Sequence, residues 1–356
     1  MLHLSSTELL RDGALSARLV HLHHVQGSQP GITRLGQASR FHYVKAGRPV
    51  RDKPTLARIR MLAVPPAWTK VWVCADPQGH LQASGFDVKG RKQYRYHKSW
   101  SKARGEVKFD HVLEFADRLP TLRAQLHSHL SLPGLPEEKV LAAVVRTMEL
   151  TRIRIGGESY ARANGSYGLS TLKDRHLQGK GNDLRFVFRG KTGIAHNIPL
   201  GSPRLARIVQ RCKALPGQDL FQYLDDQGSP HPVTSGQVNA YIQRITSASF
   251  TTKDIRTWKG TVLAFEALAG IPAPTSAAEG QRKLNEALDS VAKGLGNTRA
   301  VCRKHYVHPR VLEAFLSGEL VNALEGVRAR QRMDRHERGI LGLLRVRSRA
   351  ATKRAA

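Results

Sequence analysis

The stretch LRFVFRGKTGIAHNI, residues 184–198, decides how the second half of the chain is interpreted. Apolar and polar residues alternate through 184–188 and again through 194–198, and Gly-Lys-Thr-Gly at 190–193 stands between them. Alternation on both sides of such a turn predicts a β-hairpin. The turn also resembles the end of a phosphate-binding loop, but Arg185 stands where that motif requires glycine, so we do not expect nucleotide binding here.

Helical patterns surround this hairpin. Val112, Phe115 and Leu119 lie at helical spacing, and Pro136 followed by two glutamates is typical of a first helical turn. The segment Ser-Ala-Ala-Glu at 276–279 matches a capping box that opens another helix. These patterns predict a mainly α-helical second domain that contains one hairpin.

The first hundred residues are instead rich in strand signals. Residues 70–74 and 81–84 read as two short strands joined by a turn at 76–79. The small and polar segment at 101–105 predicts a linker. We therefore predict an α+β protein with a β-rich N-terminal domain at 1–105, a mainly α domain at 106–325 and a basic C-terminal tail at 326–356.

Charge indicates the class of partner. Lysine and arginine total 57 against 28 acidic residues, which gives the 356-residue chain a formal net charge of +29. Hydrophobic residues make up 40% of the chain, so this charge does not imply wholesale disorder. An excess of this size attracts polyanions, and nucleic acid is favoured over an anionic membrane surface.

Several other classes of protein are not expected. The sequence has no apolar run long enough to cross a bilayer, and its N-terminus does not match a signal peptide. Its three cysteines, Cys74, Cys212 and Cys302, are far apart, as is typical of a reduced, cytoplasmic protein. Neither these cysteines nor the histidines at 21–24 have the spacing of a metal site, and we expect no metal and no cofactor.

Three basic segments could act on a phosphodiester. Arginine donates two hydrogen bonds to phosphate oxygens, and lysine can protonate a leaving oxygen. Arg152 and Arg154 alternate with isoleucines at the end of a predicted helix, so that one of the two arginines can face inward. Lys191 lies at the tip of the hairpin, and Arg256 stands among apolar neighbours. Taken singly, each of these residues also fits a structural or phosphate-positioning role.

Tyr306 is the candidate nucleophile. It lies in a block that runs from Asn297 and includes Arg303, Lys304 and His305. A free phenol ionises only near pH 10, so a nucleophilic tyrosine needs cationic surroundings of this kind. A core tyrosine at the start of a helix is the alternative interpretation of the same spacing.

Together these segments resemble the type IB DNA topoisomerases, in particular a bacterial branch similar to the poxvirus-type enzymes. The resemblance extends from about residue 31 to about residue 324. It is carried by these motifs, in this order: PPAW at 65–68, GRKQYRY at 90–96, IRIG at 153–156, FRGK at 188–191, KDIRT at 253–257 and the block at 297–306.

The resemblance implies a reaction through a 3′-phosphotyrosyl intermediate. Tyr306 matches the nucleophile, Arg154 and Arg256 match the arginines that hold the non-bridging oxygens, and Lys191 matches the general acid for the 5′ oxygen. Asn297 stands where many relatives have a histidine that donates a hydrogen bond to a non-bridging oxygen. The residues that match DNA-contacting positions are Arg91, Lys92, Gln93, Tyr94, Tyr96 and Tyr160.

The same resemblance implies how the protein works as a whole. We expect a catalytic fold of the tyrosine recombinase/topoisomerase IB type that closes as a clamp on double-stranded DNA. We also expect a monomer that is associated with the nucleoid and relaxes supercoils without ATP or metal. A tyrosine site-specific recombinase and a non-enzymatic basic DNA-binding protein are the alternatives. The sequence KDIR at 253–256 argues against the first, because recombinases typically have His-x-x-Arg there.

Overall fold

The computed structural model describes Leu9, residues 12–37 and residues 40–355. It divides into two compact units, Met1–His111 and Val112–Ala356. The three domains inferred from the sequence, at 1–105, 106–325 and 326–356, remain a prediction.

The N-terminal unit is built on an antiparallel six-stranded sheet with the order β3-β2-β1-β4-β5-β6. Two helices, α1 (Gly13–Leu19) and α2 (Lys53–Met61), also belong to this unit. Its strands are β1 (Ile32–Leu35), β2 (His42–Lys45), β3 (Arg48–Pro49), β4 (Thr69–Val73), β5 (Leu81–Phe86) and β6 (Lys92–Tyr96). The pairing of β4 with β5 confirms the first predicted hairpin.

One face of this sheet is buried against α2. Ile32 on β1 and Val71 and Val73 on β4 form a core cluster with Ile59 of α2 and Ala83 of β5. Alternate residues of a strand point to the same face, so Val71 and Val73 are buried together. Strand β6 lies at the sheet edge, where its alternate residues are exposed.

The predicted linker at 101–105 is wrong. These residues lie inside the long helix α3 (Lys98–His129), within which the chain passes from the first unit to the second. Lysine, alanine and arginine are good helix formers. Trp100, in the first turn of α3, packs with Ala17 and Leu22 in a small cluster. One glycine in the segment is not enough to end the helix.

The C-terminal unit is mainly helical, as expected. After the α3 segment it contains α4 (Glu137–Thr151), α5 (Glu158–Asn164), α6 (Pro203–Lys213), α7 (Ser235–Thr246), α8 (Thr252–Leu268), α9 (Ala277–Leu295), α10 (Arg299–His305), α11 (Pro309–Leu316) and α12 (Arg335–Ala355). Helix α8 packs against α4, α7, α9, α11 and α12 and therefore forms the centre of this unit.

Two small sheets complete this unit. One consists of β7 (Leu177–Gln178), β8 (Arg185–Arg189) and β9 (Ala195–Pro199), and the other of β10 (Gln222–Leu224) and β11 (Pro230–Pro232). Antiparallel pairing of β8 with β9 confirms the predicted hairpin. The predicted helix starts at Pro136 and Ser276 are also confirmed, since these residues are the N-caps of α4 and α9.

The C-terminal segment, which the sequence presents as a basic tail, is partly buried. Glu337, Ile340, Leu341 and Leu344 of α12 are buried, so the first half of this helix belongs to the core of the unit. Apolar residues at helical spacing explain the burial, which the surrounding arginines obscured in the sequence. The fold is thus α+β with an N-terminal sheet, as predicted. No helix in the described part of the chain is long and apolar enough to span a membrane.

Candidate active site

Arg154 is positioned by the end of α4. Arg152, the C-cap of this helix, has a φ of 60° and turns the chain out of the helical path. The Arg154 backbone carbonyl then accepts a hydrogen bond from Leu169 N at 2.9 Å. Its side chain reaches the segment after α9, where Nη2 donates to Gly296 O at 3.0 Å and to Asn297 Oδ1 at 2.5 Å.

Arg256 lies in the second turn of α8 and is only 5% exposed. Its Nη1 donates to Arg152 O, and its Nη2 donates to Leu295 O at 2.9 Å. Burial first, and the charge of Arg154 second, lower the pKa of Arg256 to about 10. The guanidinium therefore stays cationic at neutral pH, and its buried Nε has no hydrogen-bond partner among the described residues.

Tyr306 is the C-cap of α10, so it ends a helix, and its side chain is half-buried. The guanidinium carbon of Arg256 lies 5.4 Å from the centre of its ring. Its backbone runs against α8 so closely that a Cβ on Gly260 would lie 2.5 Å from the Tyr306 carbonyl oxygen. Thr261 Oγ1 donates to that carbonyl oxygen at 3.4 Å and accepts from His308 N at 3.1 Å. Helix α8 thus positions both Arg256 and the tyrosine.

Asn297 follows the left-handed C-cap of α9, Gly296, whose φ is 59°. Its Oδ1 accepts the hydrogen bond from Arg154, which fixes the orientation of the amide. Its Nδ2 is buried and has no hydrogen-bond partner in the described part of the chain. A buried, unpaired donor costs free energy, on the order of 1–3 kcal/mol, unless a ligand accepts from it. The Asn297 amide is therefore arranged to donate to an acceptor that enters the site.

Lys191 lies at the tip of the β8–β9 hairpin and is exposed. Thr192 beside it adopts a φ of 64°, which makes the turn tight. A groove of about 300 Å³ is lined by Lys191, Arg154, Arg256, Tyr306 and Tyr160, among others. The structure thus brings four of the five predicted catalytic residues to one groove, and the fifth, Asn297, is bonded to Arg154.

His196 is a residue at this site that the sequence did not single out. It lies on β9, its ring stacks on Phe188 with centroids 4.9 Å apart, and it lines a cavity together with Arg154, Lys191 and Arg256. Burial first, and then the charges of Arg154 and Arg256, lower its pKa. The sequence showed His196 only as part of the strand alternation. The signal in the sequence that could have identified His196 is its position on the strand paired with β8, five residues after Lys191.

The other predicted DNA contacts lie mostly on the edge strand β6 and the turn before it. Tyr94 and Tyr96 are exposed, with ring centroids 6.0 Å apart, and the Lys92 ammonium lies 5.9 Å from the Tyr94 ring. Arg91 and Gln93 donate to Asp87, Arg91 from Nε at 2.8 Å and Gln93 from Nε2 at 3.0 Å.

Tyr160, predicted to contact a phosphate, is exposed on α5 in the C-terminal unit. In the described ranges, no three histidine, cysteine, aspartate or glutamate side chains gather in a way that could hold a metal ion.

Two family models match the chain. The catalytic core of eukaryotic DNA topoisomerase I matches residues 97–326, and the N-terminal domain of bacterial DNA topoisomerase IB matches residues 40–87. The first match alone covers more than half of the chain and contains every residue of the groove described above.

Individual relatives agree with these models. DNA topoisomerase 1B of Acanthamoeba polyphaga mimivirus is 31% identical over 294 residues, which cover 80% of this chain and 87% of the viral protein. DNA topoisomerase 1 of Rabbit fibroma virus (strain Kasza) is 22% identical over 287 residues, 78% of this chain and 87% of its own. DNA topoisomerase 1B of Vaccinia virus (strain Copenhagen) is 20% identical over 239 residues, 64% and 70% of the two chains. The matched core, the N-terminal domain and these relatives together show that the chain belongs to the type IB DNA topoisomerases, which are isomerases that act on DNA.

Proposed function

We propose that this chain relaxes supercoiled duplex DNA by cutting one strand at a time with Tyr306. The phenolic oxygen attacks the scissile phosphorus, a phosphotyrosyl bond forms at the 3′ end, and the bond from phosphorus to the 5′ oxygen breaks. The phenol proton leaves to the surrounding water, and Lys191 gives a proton to the departing 5′ oxygen. After strand rotation, the 5′ hydroxyl attacks the phosphotyrosine and restores the DNA.

The observation that carries this proposal is a pair of buried donors that are unpaired among the described residues, one on Asn297, which is bonded to Arg154, and one on Arg256, which lies beside Tyr306. Asn297 Nδ2 and Arg256 Nε are buried without partners in the described structure, and the Arg256 guanidinium lies over the Tyr306 ring. A pentacoordinate phosphate carries negative charge on its non-bridging oxygens, which accept hydrogen bonds strongly. We therefore assign Arg154, Arg256 and Asn297 to these oxygens.

The proposed reaction requires no coupled hydrolysis of ATP. Cleavage exchanges one phosphodiester for a phosphotyrosyl ester, and the two esters are close in free energy. Superhelical strain can then drive the rotation while the nick is open. In this proposal Lys191, Arg154, Arg256 and Tyr306 of the groove, together with Asn297, supply the nucleophile, the charge and the proton without ATP or metal.

We also propose that the protein works as a monomer whose two units close around the duplex as a clamp, in association with the nucleoid. The net charge of +29 supports contact with phosphates on several sides of the DNA. Tyr94, Tyr96 and Lys92 on the edge strand and Tyr160 on α5 present exposed side chains suited to backbone contacts. Sedimentation of the protein bound to a short duplex should give one chain per duplex, and a dimer would contradict the proposal.

The central test is the covalent adduct. Wild-type protein mixed with a nicked suicide substrate should become attached to the 3′ end of the cut strand, and mass spectrometry should place the adduct on Tyr306. Tyr306→Phe should bind DNA almost normally yet form no adduct, because it removes only the attacking oxygen. Tyr223→Phe, which loses a hydroxyl that accepts from Gln237 Nε2 at 3.2 Å away from the groove, is the matched control.

The same assay separates the alternatives. A non-enzymatic DNA-binding protein would leave no protein on the DNA after denaturing electrophoresis. A recombinase would require partner sites, whereas we expect relaxation of a plasmid that lacks them. An adduct on any residue other than Tyr306 would overturn the assignment of the nucleophile.

The role of Lys191 is tested with the leaving group. Lys191→Ala should slow cleavage by roughly 10²–10⁴, the range for loss of a general acid. A substrate with sulfur in place of the 5′-bridging oxygen departs without a proton and should restore most of the rate. Equal rescue of Arg256→Ala by this substrate would contradict the assignment.

A further inference from the structure

The imidazole of His196 fills the space between two turns of the site. A Cβ on Gly190, which precedes Lys191, would lie 2.5 Å from His196 Nε2. A Cβ on Gly296, which precedes Asn297, would lie 3.1 Å from His196 Cε1. The ring therefore lies close to the backbone of both turns, at Gly190 and at Gly296.

The ring packs on a buried side chain of the paired strand. The His196 ring stacks on Phe188, which is buried on the paired strand β8. In the hairpin turn, Gly190 N donates to Ile194 O at 2.8 Å. Lys191 itself is exposed, and its turn contains the left-handed Thr192. The His196 ring thus lies between the buried Phe188 on β8 and the turn that carries the exposed Lys191.

The charges around the ring agree with a packing role. Arg154 and Arg256 line the same cavity as His196, and their charges disfavour a cationic imidazole there. Burial and these two arginines lower the pKa of His196 from its usual value, so the surroundings favour the neutral ring. A neutral ring adds no positive charge beside the two arginines.

We propose that His196 is a positioning residue that holds the Lys191 turn against the Gly296–Asn297 turn, so that the lysine ammonium meets the 5′ oxygen. This proposal rests on the proposed function, because it takes Lys191 as the general acid. It adds a residue from β9 to the site. Loss of the ring should release the lysine but leave Tyr306 and the arginines in place.

The experiment compares single-turnover cleavage of two suicide substrates, one with the ordinary 5′-bridging oxygen and one with sulfur there. His196→Ala should slow cleavage of the oxygen substrate by roughly 10–100-fold, less than the 10²–10⁴ for loss of the acid itself. It should cleave the sulfur substrate at close to the wild-type rate. The double variant His196→Ala/Lys191→Ala should be no slower on the oxygen substrate than Lys191→Ala, because both changes act through one proton.

Two further variants control for poor folding of the alanine variant and for the loss of a histidine elsewhere on the protein. His196→Asn keeps a shorter polar side chain and should show a smaller loss with the same dependence on the leaving group, even if the alanine variant folds poorly. His231→Ala removes a surface histidine that pairs with Asp225 at 2.7 Å and should cleave both substrates like wild type.

The experiment distinguishes failure of the inference about His196 from failure of the proposed function. If sulfur rescues Lys191→Ala but leaves the His196 variants equally impaired on both substrates, His196 does not act through the lysine and the inference is wrong. Wild-type rates for the His196 variants on the oxygen substrate would overturn it as well. If sulfur fails to rescue Lys191→Ala, the general acid itself is misassigned.

Discussion

Glu337→Gln should destabilise the C-terminal unit more than any surface substitution, because this carboxylate joins α12 to α3 and α8 and, through Arg123, to α4. Glu337 lies on α12, and its side chain is 1% exposed. It accepts hydrogen bonds from both Arg123 Nη atoms at 2.7 Å, from Trp258 Nε1 at 3.1 Å and from Lys259 Nζ at 3.3 Å. Arg123 is also bonded to the buried Glu149 of α4 at 3.0 Å. Without the Glu337 charge, Arg123 keeps its pair with Glu149, but Lys259 and the two Nη atoms of Arg123 lose their charged acceptor.

The magnitude follows from the titration of the carboxyl. Burial alone would raise the pKa of Glu337, but the hydrogen bonds from Arg123 and the charges of Lys259 and Arg123 outweigh it and lower the pKa to about 2. The difference from the ordinary value of 4.5 corresponds to about 3 kcal/mol in favour of the folded, ionised form. Because the folded pKa is depressed, this stabilisation is present above about pH 4.5 and is lost as the pH falls toward 2.

Urea unfolding followed by far-ultraviolet circular dichroism measures the effect, since most helices lie in the C-terminal unit. At pH 7 the variant should lose about 3 kcal/mol of unfolding free energy relative to wild type, and the difference should shrink below pH 4.5. Glu286→Gln, which breaks an exposed pair with Arg282, should cost less than about 1 kcal/mol. A loss in Glu337→Gln no larger than in this control, or a difference that does not change with pH, would refute the reasoning.

The remaining predictions concern the site. Asn297→Ala should slow cleavage by roughly 10²–10³, as for loss of one transition-state donor, whereas Asn297→His should retain much of the rate; a wild-type rate for the alanine variant would make the side chain merely structural. Gly260→Ala should slow cleavage but not DNA binding, because the new methyl meets the Tyr306 carbonyl; a mobility-shift assay beside single-turnover cleavage checks this, and weakened binding would contradict it. Plasmid relaxation should continue in excess EDTA without nucleotide, and an absolute requirement for either would overturn the mechanism.

The parts of the fold that depend on local sequence could be predicted. The hairpin around Lys191 and the helix starts at Pro136 and Ser276 are set by alternation, turn residues and caps within a few positions. The segment at 101–105 misled the prediction, because its polar composition is compatible with both a linker and an exposed helix face. What decides between them is the packing of Trp100 with Ala17 and Leu22, which are distant in sequence.

The site was predictable in its residue types but not in its contacts. The resemblance of the motifs indicated Arg154, Lys191, Arg256, Asn297 and Tyr306, and the structure brings four of them to one groove and bonds Asn297 to Arg154. The bond from Arg154 to Asn297 spans 143 residues, so no local pattern encodes it.

The role of His196 depends on similar long-range packing. Its neighbour Gly296 lies on another element, and the strand alternation shows only that the histidine shares a face with Ile194 and Ile198.

The bond between Arg123 and Glu337 also has a consequence for the order in which the protein is synthesised. The two residues are 214 positions apart. At about 5–20 residues per second, Glu337 leaves the ribosome roughly 10–40 s after Arg123. Glu337 follows Trp258 by 79 residues, so for roughly 4–16 s Trp258, two residues from Arg256, lacks its hydrogen-bond acceptor on α12. Because α12 also packs against α8, we expect limited proteolysis of ribosome-bound chains to find α8 less protected than in the folded protein, so that the DNA-cutting site matures only after all of its own residues have been translated.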